Sequence, residues 1–189
     1  MSSKPTPPII CVLDTSTLLY FKREVGLDEQ WDLLSQMRDL VISGALAFPR
    51  QVHKELSVAQ YPDAPGAWVG GAAKLVCHPQ PSDDTMSRVM EVAGQLVEVN
   101  AAPDREVADP YVAAMALELV ERHPGSRVVV VTDDVVDRLP SKLSLRTACE
   151  RLGLEQCRLG PFVDWLRDPA MDALQDPPEE DAEDASVQG

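Results

Sequence analysis

Two short apolar runs, Ile9 to Leu13 and Val128 to Thr132, each end on acidic side chains, with Asp14 after the first and Asp133 and Asp134 after the second. The first run is continuous rather than alternating, as expected of a central parallel strand covered on both faces, and the second is the strongest strand signal in the chain. If both are strands of one parallel sheet, their carboxylates meet at the same edge of the molecule, where open α/β folds place their sites. Glu55 and Asp109 lie on or at the start of predicted helices that could reach that edge.

The stretches between and after these runs alternate helix and strand signals. Helices are predicted from Asp14 through Phe21 and after Asp28 and Glu29, the latter with Trp31, Leu34, Met37, Arg38 and Val41 at three- and four-residue spacing and Gly44 as its stop. Leu46 to Phe48 reads as a short strand, followed by a helix with Pro49 in its first turn and Val52, Glu55 and Leu56 along it. Pro and Gly make Tyr61 to Gly71 a loop with a short helix around Trp68, and Leu75 to Cys77 reads as a third strand. Ser82 caps an amphipathic helix whose stripe includes Met86, Val89, Met90, Ala93, Leu96 and Val97. Asp109 at the cap and Pro110 at the first helical position open another helix, with Val112, Met115, Ala116 and Leu119 facing inward. Leu145 to Leu152 is helical, Gly153 ends it, Glu155 to Leu159 is the last strand and Pro161 to Leu166 the closing helix. This alternation predicts a three-layer α/β/α sandwich with a mainly parallel central sheet of about four to five strands.

With 189 residues and 44% hydrophobic content, the chain suits one well-buried core, expected over residues 9–167 with a flexible N-terminus at 1–8. Eight acids and no Lys or Arg follow Arg167, so an acidic disordered tail is expected over 168–189. The formal charge of −14 falls to about −6 once that tail is set aside. Cys11, Cys77, Cys149 and Cys157 form no C-x-x-C pair and each sits in an apolar context, reading as buried reduced thiols. His53, His78 and His123 are scattered, and surface or helix-end roles are expected for them. No stretch approaches the roughly 20 apolar residues of a membrane span and the N-terminus shows no signal-peptide pattern, so a cytoplasmic protein is expected.

Each acid has an ordinary reading: Asp14, Asp109 and Asp133 could be helix caps, worth about 1 kcal/mol each, and Glu55 a solvent-facing helix residue. Their joint placement is different, because crowded carboxylates are unfavourable unless protons or cations compensate, and no obvious cation stands among them in the sequence. Hard oxygen donors without His or Cys select Mg²⁺ or Mn²⁺ over zinc. A divalent ion so held lowers the pKa of water and offsets charge on a phosphodiester, which fits hydrolysis of a nucleic-acid backbone.

The segments Cys11-Val-Leu-Asp14-Thr-Ser-Thr-Leu-Leu19, Val52-His-Lys-Glu55-Leu, Ala108-Asp109-Pro-Tyr-Val-Ala-Ala114 and Val130-Val-Thr132-Asp-Asp134 resemble, in order, the four acidic motifs of PIN-domain nucleases. The resemblance runs from about Ile9 to about Arg167, and the stretch from Leu139-Pro140 through Cys149-Glu150 to Leu152-Gly153 is similar to a PIN-like subfamily of unassigned biology. It implies a metal-dependent endoribonuclease, often the toxin of a toxin–antitoxin pair, with RNA as substrate, an antitoxin protein as partner and dimerisation common among relatives. By position it makes Asp14, Glu55, Asp109 and Asp134 catalytic metal ligands, Asp133 a neighbour able to substitute for Asp134, and Asp104 a weaker stand-in for Asp109. Ser16 and Thr132 match the hydroxyls that orient a carboxylate or water.

An acidic core sits poorly with an RNA substrate, although two divalent ions would offset roughly four charges locally. Lys22, Arg23, Arg50, Lys54, Arg138, Lys142 and Arg146 flank the motifs and could contact the backbone or form a solvated surface. The rival readings are a PIN-like binding or regulatory module without turnover, and a phosphotransfer domain. The latter is disfavoured because Asp14-Thr15-Ser16 lacks the second Asp of a D-x-D-x-T pattern.

Overall fold

A computed structural model describes residues 6–57, 63–98, 107–170 and 174–175. Its centre is a four-stranded, all-parallel sheet in the order β2-β1-β3-β4, formed by β1 (Ile9–Leu13), β2 (Leu46–Ala47), β3 (Arg127–Val131) and β4 (Glu155–Cys157). The two continuous apolar runs are the central strands β1 and β3, and only their first residues escape full burial. Pairing runs from Ile9 opposite Arg127 to Leu13 opposite Val131, so both strands end at one level.

Eight α-helices flank the sheet: α1 (Thr15–Glu24), α2 (Leu27–Ser43), α3 (Arg50–Leu56), α4 (Ala64–Ala72), α5 (Asp83–Ala93), α6 (Asp109–Arg122), α7 (Leu145–Leu152) and α8 (Leu159–Arg167), among the described residues. One group packs α1 and α2 against α4 and α8, with α3 beside α1 and α4; the other packs α5, α6 and α7 together, with α6 lying on β1 and β3. The result is the expected α/β/α arrangement. Its core is aliphatic, with Ile10, Leu13, Leu18, Leu34, Met37 and Met115 filling the space between layers and Phe21, Phe48 and Phe162 as the largest fully buried rings.

Several local expectations change. Leu75 to Cys77 is a turn and coil rather than a strand; Leu75 and Val76 are half-buried against the core without joining the sheet. The Pro- and Gly-rich stretch forms α4, because Asp63 accepts the Gly66 N–H, Pro65 fits the first turn, and Trp68, Val69 and Ala72 are buried. Trp31 lies on the outer face of α2 at 62% exposure, and Leu33 takes the inward place beside Leu34, Met37 and Val41. The second strand stops at Ala47 and the last at Cys157, and Leu159 already belongs to α8. Gly44 and Gly153 close α2 and α7 in the left-handed conformation, as their positions suggest.

At the N-terminus, Pro7 and Pro8 carbonyls accept hydrogen bonds from Ser126 Oγ and the Arg127 N–H, tying this segment to the start of β3. Past α8, Leu174 is buried and its carbonyl accepts from Arg127 Nη2 at 3.0 Å, so one residue of the expected tail is anchored to the domain. The expected flexible residues 1–5 and the rest of the tail, 171–173 and 176–189, lie outside the described residues. No described helix is long and apolar enough to cross a membrane.

The cysteines divide unevenly. Cys11, Cys149 and Cys157 are buried, whereas Cys77 is exposed because its segment is a surface coil rather than a strand. Burial pushes the Cys11 thiol up to about 12 and the Cys149 thiol upward as well, leaving both inert at neutral pH. Of the four thiols, Cys77 alone is expected to react rapidly with dithionitrobenzoate in the native protein, and all of them after guanidinium unfolding; stoichiometric colour release checks this.

Candidate functional site: an acidic cleft at the sheet edge

Asp14 follows the last residue of β1, and its backbone N–H continues the ladder to the Val131 carbonyl at 3.1 Å. Its carboxylate caps α1 through the Thr15 and Ser16 N–H groups, as the sequence suggested for an N-cap acid. It is also a junction between strands. Oδ2 accepts from Ser16 Oγ at 2.6 Å and from Thr132 Oγ1 at 2.9 Å, and Oδ1 accepts from the Thr15 N–H at 2.6 Å. Only 1% of Asp14 is exposed. Burial raises its pKa; these donors oppose the rise, and the nearby charge of Asp134 adds to it.

The Thr132 and Ser16 hydroxyls also accept backbone N–H groups, Thr132 from Asp134 at 3.1 Å and Ser16 from Asp133 at 2.9 Å. They therefore hold the β1 and β3 ends together through the Asp14 carboxylate. Thr17 Oγ1, donating to the Val131 carbonyl at 2.7 Å, fastens α1 to the same point.

Asp109 departs from its expected place as a cap. Ala108 is the N-cap of α6, and Asp109 and Pro110 are the first two helical residues, so the Asp109 side chain caps nothing and turns into the cleft. Burial and then the Asp14 charge push its pKa up to about 7, against the pull of Lys142. Lys142 is the cation that no motif announced. Its Nζ lies 2.7 Å from Asp109 Oδ2 and 2.9 Å from Asp134 Oδ2, with 18% of its side chain exposed. The ammonium stays protonated because these two carboxylates outweigh the cost of burying it.

Asp134 Oδ2 also accepts the Leu145 N–H at the start of α7, at 3.2 Å. Asp133 turns the other way. Its Oδ2 accepts the Leu159 N–H at the start of α8, at 3.2 Å, and Oδ1 faces Arg158 Nε at 3.3 Å. Of the adjacent pair, Asp134 joins Asp109, and Asp133 secures a helix start. Glu55 reaches the site from α3, where Oε2 accepts from Thr15 Oγ1 and Oε1 from the Ala108 N–H at 3.0 Å. It thereby bridges the beginnings of α1 and α6.

Asp14, Glu55, Asp109, Asp133 and Asp134 all line one open cleft of about 470 Å³, with Ser16 and Lys142. Of the seven flanking cations, Arg138 and Lys142 line it; Lys22 instead pairs with Asp63 at 2.7 Å, Arg146 with Glu150 at 3.4 Å, and Arg23 lies over the Tyr20 ring. Tyr20 and Asp133 also line a second cleft of about 430 Å³ beside α8. Asp104 lies outside the described residues. Among the described residues, no three acidic, His or Cys side chains converge closely enough to hold an ion as they stand. The reason is visible in the hydrogen bonds, since Lys142 and backbone N–H groups take up the carboxylate oxygens. In donor type and charge the group nevertheless suits a hard divalent cation: its oxygens are carboxylates and hydroxyls, and two of the acids already hold a cation between them.

The double role of Thr132 yields a measurable cost. Thr132→Val removes one donor from buried Asp14 and strands the Asp134 N–H, so in chelator it is expected to lower unfolding free energy by about 1–3 kcal/mol. Urea denaturation checks the value.

No curated protein and no solved structure matches the chain. A family match does span the cleft from β1 to α8: over residues 11–166 the chain fits the family described as a domain of unknown function, DUF4411, and it belongs to that family.

Proposed function

We propose that this protein is a metal-dependent endoribonuclease of the PIN-like kind, hydrolysing RNA phosphodiester bonds in the acidic cleft. Asp14, Glu55, Asp109 and Asp134 would hold Mg²⁺ or Mn²⁺. The observation that carries this reading is the burial of Asp14 beside Asp109 and Asp134; burial first, and neighbouring carboxylate charge after it, raise the pKa of Asp14 and of Asp109. Helix starts account for Asp14 and Asp134 but not for Asp109, which caps nothing and yet turns into the same opening, and charge crowding of this kind marks functional sites. A bound divalent ion would supply charge neutralisation for a phosphodiester and lower the pKa of water.

The chain's own contribution is positioning. Ser16 and Thr132 fix the Asp14 carboxylate, and Thr15 with the Ala108 N–H fixes Glu55. Arg138, exposed on the cleft wall, is placed to meet a substrate phosphate. Asp133 is left out of the ligand set because its carboxylate serves the start of α8. The PIN resemblance supplies the biological setting of a toxin with an antitoxin, and a formal charge of −14 favours a basic protein as that partner. Homodimerisation enters by the same resemblance.

Lys142 favours a second reading. An internal ammonium can neutralise Asp109 and Asp134 without metal, as in a PIN-like module that binds a partner and performs no hydrolysis. Incubation with labelled single-stranded RNA separates the two. Cleavage is expected with Mn²⁺ and absent in chelator, and Asp14→Asn should reduce it by about a hundredfold or more. Activity that is indifferent to chelator or to the substitution would rule out this mechanism.

Metal binding should also appear in stability. Mn²⁺ at about a hundred times its dissociation constant is expected to raise Tm by roughly 5–10 °C, and Asp109→Asn to blunt that rise. Calorimetry with and without metal checks it, and equal shifts in both proteins would remove Asp109 from the ligand set.

A further inference from the structure

We propose that Lys142 competes with the divalent ion for Asp109 and Asp134, so that this one side chain sets how tightly the cleft holds its metal. The inference rests on the metal-site reading above and adds a residue that none of the acidic motifs contains. Its basis is a cation already in place: Lys142 Nζ touches Asp109 Oδ2 at 2.7 Å and Asp134 Oδ2 at 2.9 Å. These carboxylates come from separate elements, the start of α6 and the loop after β3, and the ammonium is the group that joins them.

The lysine is delivered by a short, well-tied turn. Arg138 and Lys142 exchange backbone hydrogen bonds at 2.8 and 3.1 Å, the Ser141 N–H donates to the Arg138 carbonyl, and the Leu143 N–H donates to the Gln95 carbonyl at 2.8 Å. The backbone of the turn is therefore fixed on both sides of Lys142. Its four-carbon stem is flexible and ends at the wall of an open cleft, so the ammonium can leave for water while the turn stays.

A divalent ion cannot use the same Oδ2 atoms while Nζ remains within hydrogen-bond distance of them, because two cations would then stand a few ångströms apart with little water between. Metal uptake is accordingly an exchange. The apparent affinity is reduced by the fraction of molecules in which Lys142 still occupies the carboxylates. Asp14 and Glu55 lie outside this competition, since their partners are hydroxyls and backbone N–H groups.

The test uses the full chain stripped of metal and titrated calorimetrically with Mn²⁺, comparing wild type with Lys142→Gln and Lys142→Arg. Competition predicts that the Gln variant binds Mn²⁺ about tenfold or more tightly than wild type, whereas the Arg variant, which keeps the charge, does not. In the wild type, acetylation of Lys142 by acetic anhydride, read by mass spectrometry, should rise several-fold when Mn²⁺ is added. Equal Mn²⁺ affinity in wild type and the Gln variant, or Mn²⁺ uptake with unchanged Lys142 labelling, overturns the competition and leaves the metal site standing. Failure of both proteins to take up Mn²⁺ overturns the metal site and the competition together. Should the Gln variant fail to fold, the wild-type labelling decides.

Discussion

The parallel pairing of β1 with β3, in a register that sets Leu13 opposite Val131, is the constraint on which the cleft depends. With side chains alternating along each strand, a slip of one residue would exchange the two faces of a strand buried on both. It would also separate Asp14 from Thr132, whose hydroxyl bonds the carboxylate across the two strand ends. The continuous valine run of β3 packs against the apolar residues of β1 and buries both. Burial holds the two strands side by side, and their register brings the acids together.

From that junction the rest of the site is assembled by helix starts. α1, α6, α7 and α8 each begin near the cleft, and each offers N–H groups that need acceptors. Asp14 serves α1, Glu55 the Ala108 N–H before α6, Asp134 the Leu145 N–H and Asp133 the Leu159 N–H. The positive ends of these helices favour nearby negative charge, which helps the fold to tolerate so many acids in one place. Lys142 supplies the remaining compensation.

Much of this was legible from sequence. β1 and β3 were readable because uninterrupted apolar runs bounded by acids and turn residues leave few alternatives, and Gly44, Ser82 and Gly153 marked helix ends by chemistry that acts locally. The misread segments are those decided by tertiary contacts. Leu75 to Cys77 is too short for periodicity to separate strand from turn, and α4 forms despite its glycines because Trp68 and Val69 are buried. A one-residue shift at the start of α6 turned Asp109 from a cap into a cleft residue. The directions taken by Asp133 and Asp134 depend on which helix start lies nearest to each. Lys142 reads from the sequence as a flanking cation and not as a member of the site, since a turn folding back eight residues after Asp134 leaves no periodic trace.

Because one carboxylate is at once the first peg of α1 and the centre of the cleft, chemistry and folding are not separable at position 14. Replacement by alanine would deprive helix, strand end and opening together, and a loss of function would then report nothing about the role of the charge. An amide of the same shape keeps one oxygen for the helix and gives up the charge together with one of the two accepting oxygens, so isosteric change disturbs position 14 least.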